Sequence, residues 1–356
     1  MFKNHYNVIG VMSGTSLDGV DIAHVNFTLN NATWHYKIGV CETIPYNQEW
    51  ITALKSGINY GTAELETLNK KYTSYLGELI SHFITKNQLT NLDAICSHGH
   101  TILHQPQNGF TLQIGNLPEI ASYFTVPFVC DFRVQDVELG GQGAPLVPIG
   151  DQILFSSYTY CLNLGGFSNV SMFENGKRIA FDISPVNTVL NLYAEKLGFP
   201  FDEGGKHAAK GILNTSLFET LNALPFYHQP YPKSLGFEYV KDIILPLIEK
   251  FNCSTEDVLH TFTKHVAFQI AKVTTQKNST LLVTGGGAYN TFLINEIQKN
   301  APYIQITIPD TKTIEFKEAL IFALLGVLKL RNEINVLASV TGAQKDHSSG
   351  KIFTTN

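Results

Sequence analysis

NVIGVMSGTSLDGVD, residues 7–21, is the stretch whose reading decides the fold. Val8, Ile9, Val11 and Met12 predict a short buried strand, because a compact apolar run bounded by turn residues buries both its faces. The run passes into Ser13-Gly14-Thr15-Ser16 and Asp18-Gly19. A second strand follows, with Val20, Ile22, Val25 and Phe27 in a mostly alternating register. The order is therefore strand, small polar turn, strand. Gly14 and Gly19 read as positions for a positive φ or a close backbone approach. Successive turn N–H groups with two hydroxyls can hold an anion. A hairpin whose turn is merely rich in small residues gives the same pattern, so a phosphate reading needs further loops.

Working outward, residues 34–44 predict a third strand, and the chain opens with a three-strand meander. Residues 63–86 predict a long amphipathic helix, with Leu65, Leu68, Tyr72, Leu76, Leu79, Ile80 and Phe83 on one stripe. Residues 94–97 predict a short strand with His98-Gly99-His100 at its end. A short helix is expected over 118–124 and a buried strand over 126–132. Glycines then gather in LGGQGAP, 139–145, which reads as a boundary or hinge.

Beyond that point the opening arrangement returns. Residues 160–164 predict a strand, Gly165-Gly166 a turn, 168–173 a strand, Asn175-Gly176 a two-residue hairpin turn, 178–183 a third strand and 190–197 a helix. A unit repeated near the midpoint predicts two similar α/β domains facing each other across a cleft, where ligands commonly bind. The last third alternates a helix (257–275), a strand (280–283) followed by Thr284-Gly285-Gly286-Gly287, a helix from about residue 290, a strand (304–308) and an apolar helix (316–330). The polar tail after Ser339 reads as irregular. The expected domains are 1–138 and 139–356, with the C-terminal helix and tail near the interface.

Composition fits this picture. The 356 residues carry a formal net charge of −5 and are 44% hydrophobic and 15% charged; mean hydropathy is +0.01 and the isoelectric point about 6.2. That balance argues against general nucleic-acid or anionic-membrane binding. Cys41, Cys96, Cys130, Cys161 and Cys253 are odd in number and lack a C-x-x-C pair, so they read as reduced thiols of a cytoplasmic protein. Residues 1–20 show no secretory signal, and the most apolar run, 319–328, is too short to span a bilayer.

Each candidate site has a plain alternative. Glycine after a strand is ordinary turn chemistry, and neither a P-loop nor G-x-G-x-x-G occurs. A nucleotide reading must rest on three loops converging: 13–21, 165–166 and 285–287. Asp182, in RIAFDISP, is the best candidate for chemistry, since an acid among apolar strand residues is costly unless paired or functional. Its alternative is a helix cap or a partner for a nearby Lys. Asp18 and Asp21 read as turn residues or as contacts to a metal–phosphate complex. His98, His100 and His104 in SHGHTILHQP form the rival constellation, an H-x-H entry to a metal-hydrolase centre, but His207, His228 and His265 supply no matching pattern.

Taken in order, GVMSGTSLDGVD (10–21), SHGHT (97–101), LQIGNLPEIA (112–121), DFRVQD (131–136), GGQGAPLVP (140–148), NLGGFSN (163–169), GGKHAAKG (204–211), PKSLG (232–236), TGGGAYN (284–290) and VTGA (340–343) resemble the anhydro-N-acetylmuramic acid kinase family. The resemblance implies the actin, Hsp70 and sugar-kinase fold, two ribonuclease H-like α/β domains around ATP. It implies ATP- and Mg²⁺-dependent phosphorylation of 1,6-anhydro-N-acetylmuramic acid with hydrolytic opening of the anhydro ring, giving N-acetylmuramic acid 6-phosphate in cell-wall recycling. It further implies a cytoplasmic homodimer, and no resident metal centre. On this reading Gly14, Thr15, Ser16, Leu17, Asp18, Gly19, Val20 and Asp21 hold nucleotide phosphates. Gly165 and Gly166 form a second phosphate turn, while Gly285, Gly286 and Gly287 border the adenosine. Asp182 matches the base, and Arg133 and Glu318 contact the sugar. The chain departs from the family's FDTGPGN at Ile183, Ser184 and Val186, and from its SHGQTVRHRP at His100, Leu103 and Gln105. The alternatives are a kinase of the same fold for another sugar or small acid, or an ATP-switched binding protein.

Overall fold

The opening meander forms as three antiparallel strands, β1 (His5–Ser13), β2 (Gly19–Asn30) and β3 (Thr33–Pro45). The structure is a computed structural model that describes residues 2–14 and 16–355. Ser13 pairs with Val20 and Met12 with Asp21, so the chain turns between Ser13 and Gly19. By chain contacts the protein divides into two units, Met1–Leu154 with Phe316–Asn356, and Phe155–Glu315. The glycine run at 139–145, read above as the boundary, therefore lies inside the first unit, and residues 316–356 return to it. Asp136 explains the first point, because its buried carboxylate ties that run to its own unit, as described below.

In the first unit β4 (Ala94–Gln105) and β6 (Phe128–Cys130) extend the sheet parallel to β1, while β5 (Phe110–Ile114) pairs antiparallel with β4. The helix Thr62–Lys86 makes the crossover from β3 to β4. It opens with Glu64 accepting from the Gly61 N–H at 2.9 Å, a partner for one of the otherwise orphaned first-turn donors. Its apolar stripe packs Leu68, Tyr72, Leu76, Ile80 and Phe83 on Ile9, Val11, Val20 and Ile22 of the sheet. Each such side chain contributes about 1.5–3 kcal/mol on burial.

The helix Thr311–Leu330 leaves helical geometry at Phe316 (φ −111°, ψ 17°). From Ala319 to Leu328 every residue is buried, as an all-round apolar helix must be. Gly10 on β1 allows the close approach: a Cβ there would stand 2.0 Å from the Ala319 carbonyl oxygen. No described helix is long and apolar enough to cross a membrane.

The second unit repeats the plan. Strands β7 (Tyr160–Leu164), β8 (Phe167–Glu174) and β9 (Lys177–Pro185) form an antiparallel meander, and β10 (Ser279–Thr284) and β11 (Ile304–Thr307) add parallel to β7. Leu162, Leu164, Val170, Ile183, Val266, Ile270, Leu281, Val283, Leu293 and Ile297 belong to one core. Within the seven-stranded first sheet the order β3-β2-β1-β4-β6 repeats in the five-stranded second one as β9-β8-β7-β10-β11. This is the ribonuclease H-like arrangement twice over, the two-domain plan of actin, Hsp70 and the sugar kinases.

Three local expectations change. The strand foreseen over 94–97 continues to Gln105, so His98-Gly99-His100 lies within β4, where His100 pairs with Ser13 of β1 and Ile114 of β5 and the Gly99 N–H donates to Ser97 Oγ. The helix foreseen over 190–197 is Asn187–Glu195. The tail is not wholly irregular: β12 (Lys351–Phe353) adds antiparallel to β6 as the edge strand.

Candidate active site

The β1–β2 turn is held from the side by its neighbours. Leu17 N–H to the Gly14 carbonyl at 3.3 Å is the backbone hydrogen bond spanning it among the described residues. The positive φ expected of Gly14 or Gly19 belongs instead to Leu17 (φ 62°). A Cβ on Gly14 would meet only Ser16 Oγ, at 3.7 Å, whereas one on Gly19 would stand 2.3 Å from the Ile44 carbonyl oxygen. Gly19 is thus required by β3, and Gly14 has open space beside it. Ser16 and Asp18 are exposed, Val20 is buried, and Asp21 accepts from Thr43 Oγ1 at 2.6 Å. Thr15 lies outside the described residues.

At the foot of the same sheet end, Arg133 Nε donates to His98 Nε2 at 2.8 Å and Nη1 to the Gly143 carbonyl at 2.6 Å. Nη2 makes no hydrogen bond among the described residues. Burial pushes Arg133 down to about 10, against the opposing pull of Glu318 and Asp136, so it stays cationic. Glu318 is solvent-accessible but crowded by protein atoms. That crowding raises its carboxyl above the usual range; Arg133 opposes the rise, Asp21 adds to it and Lys317 opposes it. Arg133, Glu318 and Asp21 therefore share one electrostatic neighbourhood in the first unit, which joins the two expected sugar contacts to the end of the expected phosphate loop.

Sequence reasoning missed the group that builds this neighbourhood. Asp136, wholly buried, accepts from the Gly143 N–H and from Thr341 Oγ1, both at 2.7 Å. It ties GGQGAP and VTGA to the helix after β6. An acid closing the run DFRVQD, next to a glycine-rich loop with orphan N–H groups, was the available signal.

In the second unit Asp182 stands on β9, half-buried. Its Oδ2 accepts from the Leu235 N–H at 2.8 Å, and its own N–H donates to the Lys233 carbonyl at 3.1 Å. Oδ1 has no hydrogen bond among the described residues. Loss of hydration raises the carboxyl above its ordinary value, the Leu235 N–H partly opposing. The alternative of a Lys partner does not hold: Lys233 sends its ammonium to the Phe226 carbonyl at 3.1 Å. The register between β8 and β9 slips here, with Asn169 opposite Asp182 and Ser168 opposite Ser184, so Ile183 is the extra residue of a bulge.

The two glycine turns of this unit meet at the end of β7. The carbonyls of Gly165 and Gly166 accept from the first N–H groups of the helix Asn187–Glu195. Gly285 holds φ 81°, and a Cβ there would stand 2.8 Å from the Leu164 carbonyl oxygen; on Gly287 it would lie 2.7 Å from Leu164 Cβ, while on Gly286 it would only touch Asn187 Nδ2, at 3.9 Å. The structure thus gathers Gly14 to Asp21 (Thr15 aside) with Arg133 and Glu318 in the first unit. In the second it brings Gly165-Gly166 beside Gly285–Gly287, with Asp182 two strands away.

The sequence matches a known family along nearly the whole chain. The sequence profile of the anhydro-N-acetylmuramic acid kinases matches residues 6–355. The chain belongs to that family. It is 35% identical to the anhydro-N-acetylmuramic acid kinase of Mannheimia succiniciproducens, over 99% of this chain and 100% of the relative. With the enzyme of the same name from Haemophilus influenzae it shares 33% identity over 97% of each. Among solved structures, component A of the Acidaminococcus fermentans (R)-2-hydroxyglutaryl-CoA dehydratase matches at 12% identity and a TM-score of 0.46, covering 92% of this chain and 100% of that one.

The departures from the anhydro-N-acetylmuramic acid kinase pattern are absorbed by the core. Ile183, Ser184 and Val186 are all buried. Ile183 and Val186 join the second unit's apolar cluster, and Ser184 Oγ pairs with Ser168 Oγ at 2.9 Å. Their side chains add no bulk to the solvent side of the turn. Leu103 packs against the first core, and Gln105 is exposed.

Proposed function

We propose that this protein phosphorylates 1,6-anhydro-N-acetylmuramic acid at O6 with ATP, opening the anhydro ring with water to give N-acetylmuramic acid 6-phosphate. The observation that carries the reading is Asp182: a carboxylate of raised pKa with one oxygen anchored and the other unengaged, in a chain that matches this family from end to end. The same match disfavours both alternatives, a kinase for an unrelated sugar and an ATP-switched binding protein.

In the mechanism we propose, Asp182 Oδ1 takes a proton from water as the water oxygen attacks C1. The C1–O6 bond breaks and its electron pair stays on O6. O6 attacks the γ-phosphorus in line, and the bond to the β-phosphate oxygen breaks to release ADP. Asp182 holds its orientation through Leu235 N–H, so the free oxygen presents a fixed lone pair. In this reading Arg133, with Nη2 unengaged, pairs with the sugar's lactyl carboxylate, and Glu318 accepts from its polar hydrogens. The turns 14–21 and 165–166 supply N–H groups to the phosphates, and Gly285 to Gly287 leave room for the adenosine.

No cluster of three or more metal-ligating residues occurs among the described residues. Mg²⁺ fits nonetheless, because it is bound through one or two carboxylates with phosphates and waters. Asp18, exposed on the turn, and Asp21 are its candidate protein contacts, and Mg²⁺ neutralises charge on the β- and γ-phosphate oxygens when bound. A cytoplasmic homodimer completes the proposal; light scattering tests the assembly. The deciding assay measures ATP consumption with and without the anhydro sugar. Turnover that needs the sugar and yields the 6-phosphate supports the reading, and turnover indifferent to it overturns the reading.

A further inference from the structure

A chain of buried hydroxyls ends on His100, the residue standing where the family pattern carries Gln. Tyr72 OH lies 2.5 Å from Tyr46 OH, Tyr46 OH 2.6 Å from Ser13 Oγ, and Ser13 Oγ 2.7 Å from His100 Nδ1. All four side chains are buried, and Tyr72 is wholly so. Hydrogen counting gives the chain a direction. Tyr72 OH has Tyr46 OH as its close hydrogen-bond partner among the described residues, with the Ser13 hydroxyl the next polar group that acts on it. If Tyr72 merely accepted, its own O–H would be buried with nothing to receive it, which costs more than any reversal gains. The protons therefore run Tyr72 to Tyr46 to Ser13 to His100 Nδ1.

His100 Nδ1 is thus an acceptor, and the neutral ring carries its hydrogen on Nε2. Nε2 has no hydrogen-bond partner among the described residues. Burial lowers the imidazole to about 4 and keeps it neutral. The β1–β4 register sets Ser13 opposite His100 at the end of β1 that leads into the phosphate turn. The same neighbourhood holds Asp21, whose charge is felt both by Tyr46 and by Glu318.

We infer that His100 presents Nε2–H as a fixed, uncharged donor to an acceptor oxygen of the bound sugar, and so is a specificity-determining residue of this chain. A glutamine offers the same pair of atoms, a carbonyl oxygen for Ser13 and an N–H directed away from it. That equivalence explains how histidine serves in its place. The inference rests on the proposed function for the identity of the ligand.

The test compares His100→Phe, which keeps a ring without either nitrogen, with His100→Gln, which restores both roles. His100→Phe is expected to raise KM for the anhydro sugar on the order of tenfold, with KM for ATP unchanged within about twofold and His100→Gln close to wild type. An unchanged sugar KM in His100→Phe, or a rise in ATP KM alone, overturns the inference. Long-range ¹H–¹⁵N spectra of the wild-type protein, with the His100 signals identified by their loss in His100→Gln, give a second readout that needs no folded His100→Phe. The Nε2–H tautomer is expected, perturbed by added sugar. The Nδ1–H tautomer, or signals indifferent to sugar, overturns it. Wild-type protein that fails to turn over the anhydro sugar overturns the functional reading instead.

Discussion

Arg133 Nε donates to His98 Nε2 at 2.8 Å, while His98 Nδ1 faces the Gly99 carbonyl at 2.9 Å. The guanidinium fixes the tautomer: Nδ1 carries the hydrogen and Nε2 spends its lone pair on Arg133. Burial, reinforced by the Arg133 charge, pushes the imidazole well below its usual range. A histidine so engaged holds the Arg133 guanidinium in a fixed orientation.

That arrangement predicts the metal requirement. A metal centre on His98 would need the lone pair that Arg133 occupies. Purified protein is expected to carry no stoichiometric zinc by elemental analysis. Activity should disappear with EDTA and return with Mg²⁺ alone, since phosphoryl transfer needs charge on the phosphate oxygens neutralised. Stoichiometric zinc, with activity lost on its removal, would revive the hydrolase alternative.

Asp182→Asn should separate activity from stability. The amide keeps size and can accept from Leu235 N–H, but it is not a base, and loss of a general base costs about 10² to 10⁴ in rate. ATP binding should stay within a few-fold. A carboxyl raised from 3.8 in the folded state makes its ionised form a cost to folding. That cost is absent below the unfolded pKa and fully present above the folded one. The variant should therefore melt higher than wild type near pH 7, with the gain fading toward acid. Turnover above half of wild type would sink the assignment, and a lower Tm at neutral pH would contradict the electrostatic argument.

How much of this could be read from the chain depended on where periodicity survives. The two meanders and the helix 62–86 were legible because alternation and a 3.6-residue stripe each mark one buried face. Asp182, Arg133 and Glu318 were legible as charges at strand ends or through resemblance. His98-Gly99-His100 misled because polar residues inside a buried strand break the pattern, although hydrogen bonds to Arg133 and Ser13 satisfy them. The three-residue strand β12 is too short to show a period. The chain contacts made by Asp136 and by residues 316–356 are long-range, and no local pattern reports them.

The glycines of the first turn should respond differently. Gly14 has no protein atom nearer than 3.7 Å to an added Cβ, while at Gly19 backbone lies 2.3 Å away. Gly14→Val should keep its Tm within a few degrees and weaken ATP binding, measured by calorimetry, because only a ligand would meet the side chain. Gly19→Ala should lose roughly 1–3 kcal/mol of stability, the usual cost of overpacking. Undiminished nucleotide affinity in Gly14→Val would remove the turn from the phosphate site.

Asp136→Ala should be among the most destabilising single changes. It leaves the Gly143 N–H and the Thr341 hydroxyl without their buried carboxylate acceptor. Each such loss costs about 1–3 kcal/mol. A midpoint shift in urea unfolding measures the sum, and a change below about 1 kcal/mol would contradict this structural role.

The fate of water tests the mechanism itself. The anhydro bridge joins C1 to O6, so O6 has no proton and is a poor nucleophile until the bridge opens. If Asp182 deprotonates water for attack at C1, O6 gains its charge from the breaking C1–O6 bond and carries its own oxygen into the phosphate ester. Run in ¹⁸O-water, the reaction should place label on the C1 hydroxyl and none in the bridge between C6 and phosphorus. Reducing sugars exchange their anomeric oxygen slowly, so the product is trapped early and analysed by mass spectrometry of fragments. Asp182→Asn should lose ring opening and phosphorylation together, because one base drives both. Early product with unlabelled C1 oxygen, or a phosphorylated sugar whose ring is intact, would show that water attack and phosphoryl transfer are separate events and that Asp182 acts on something other than water.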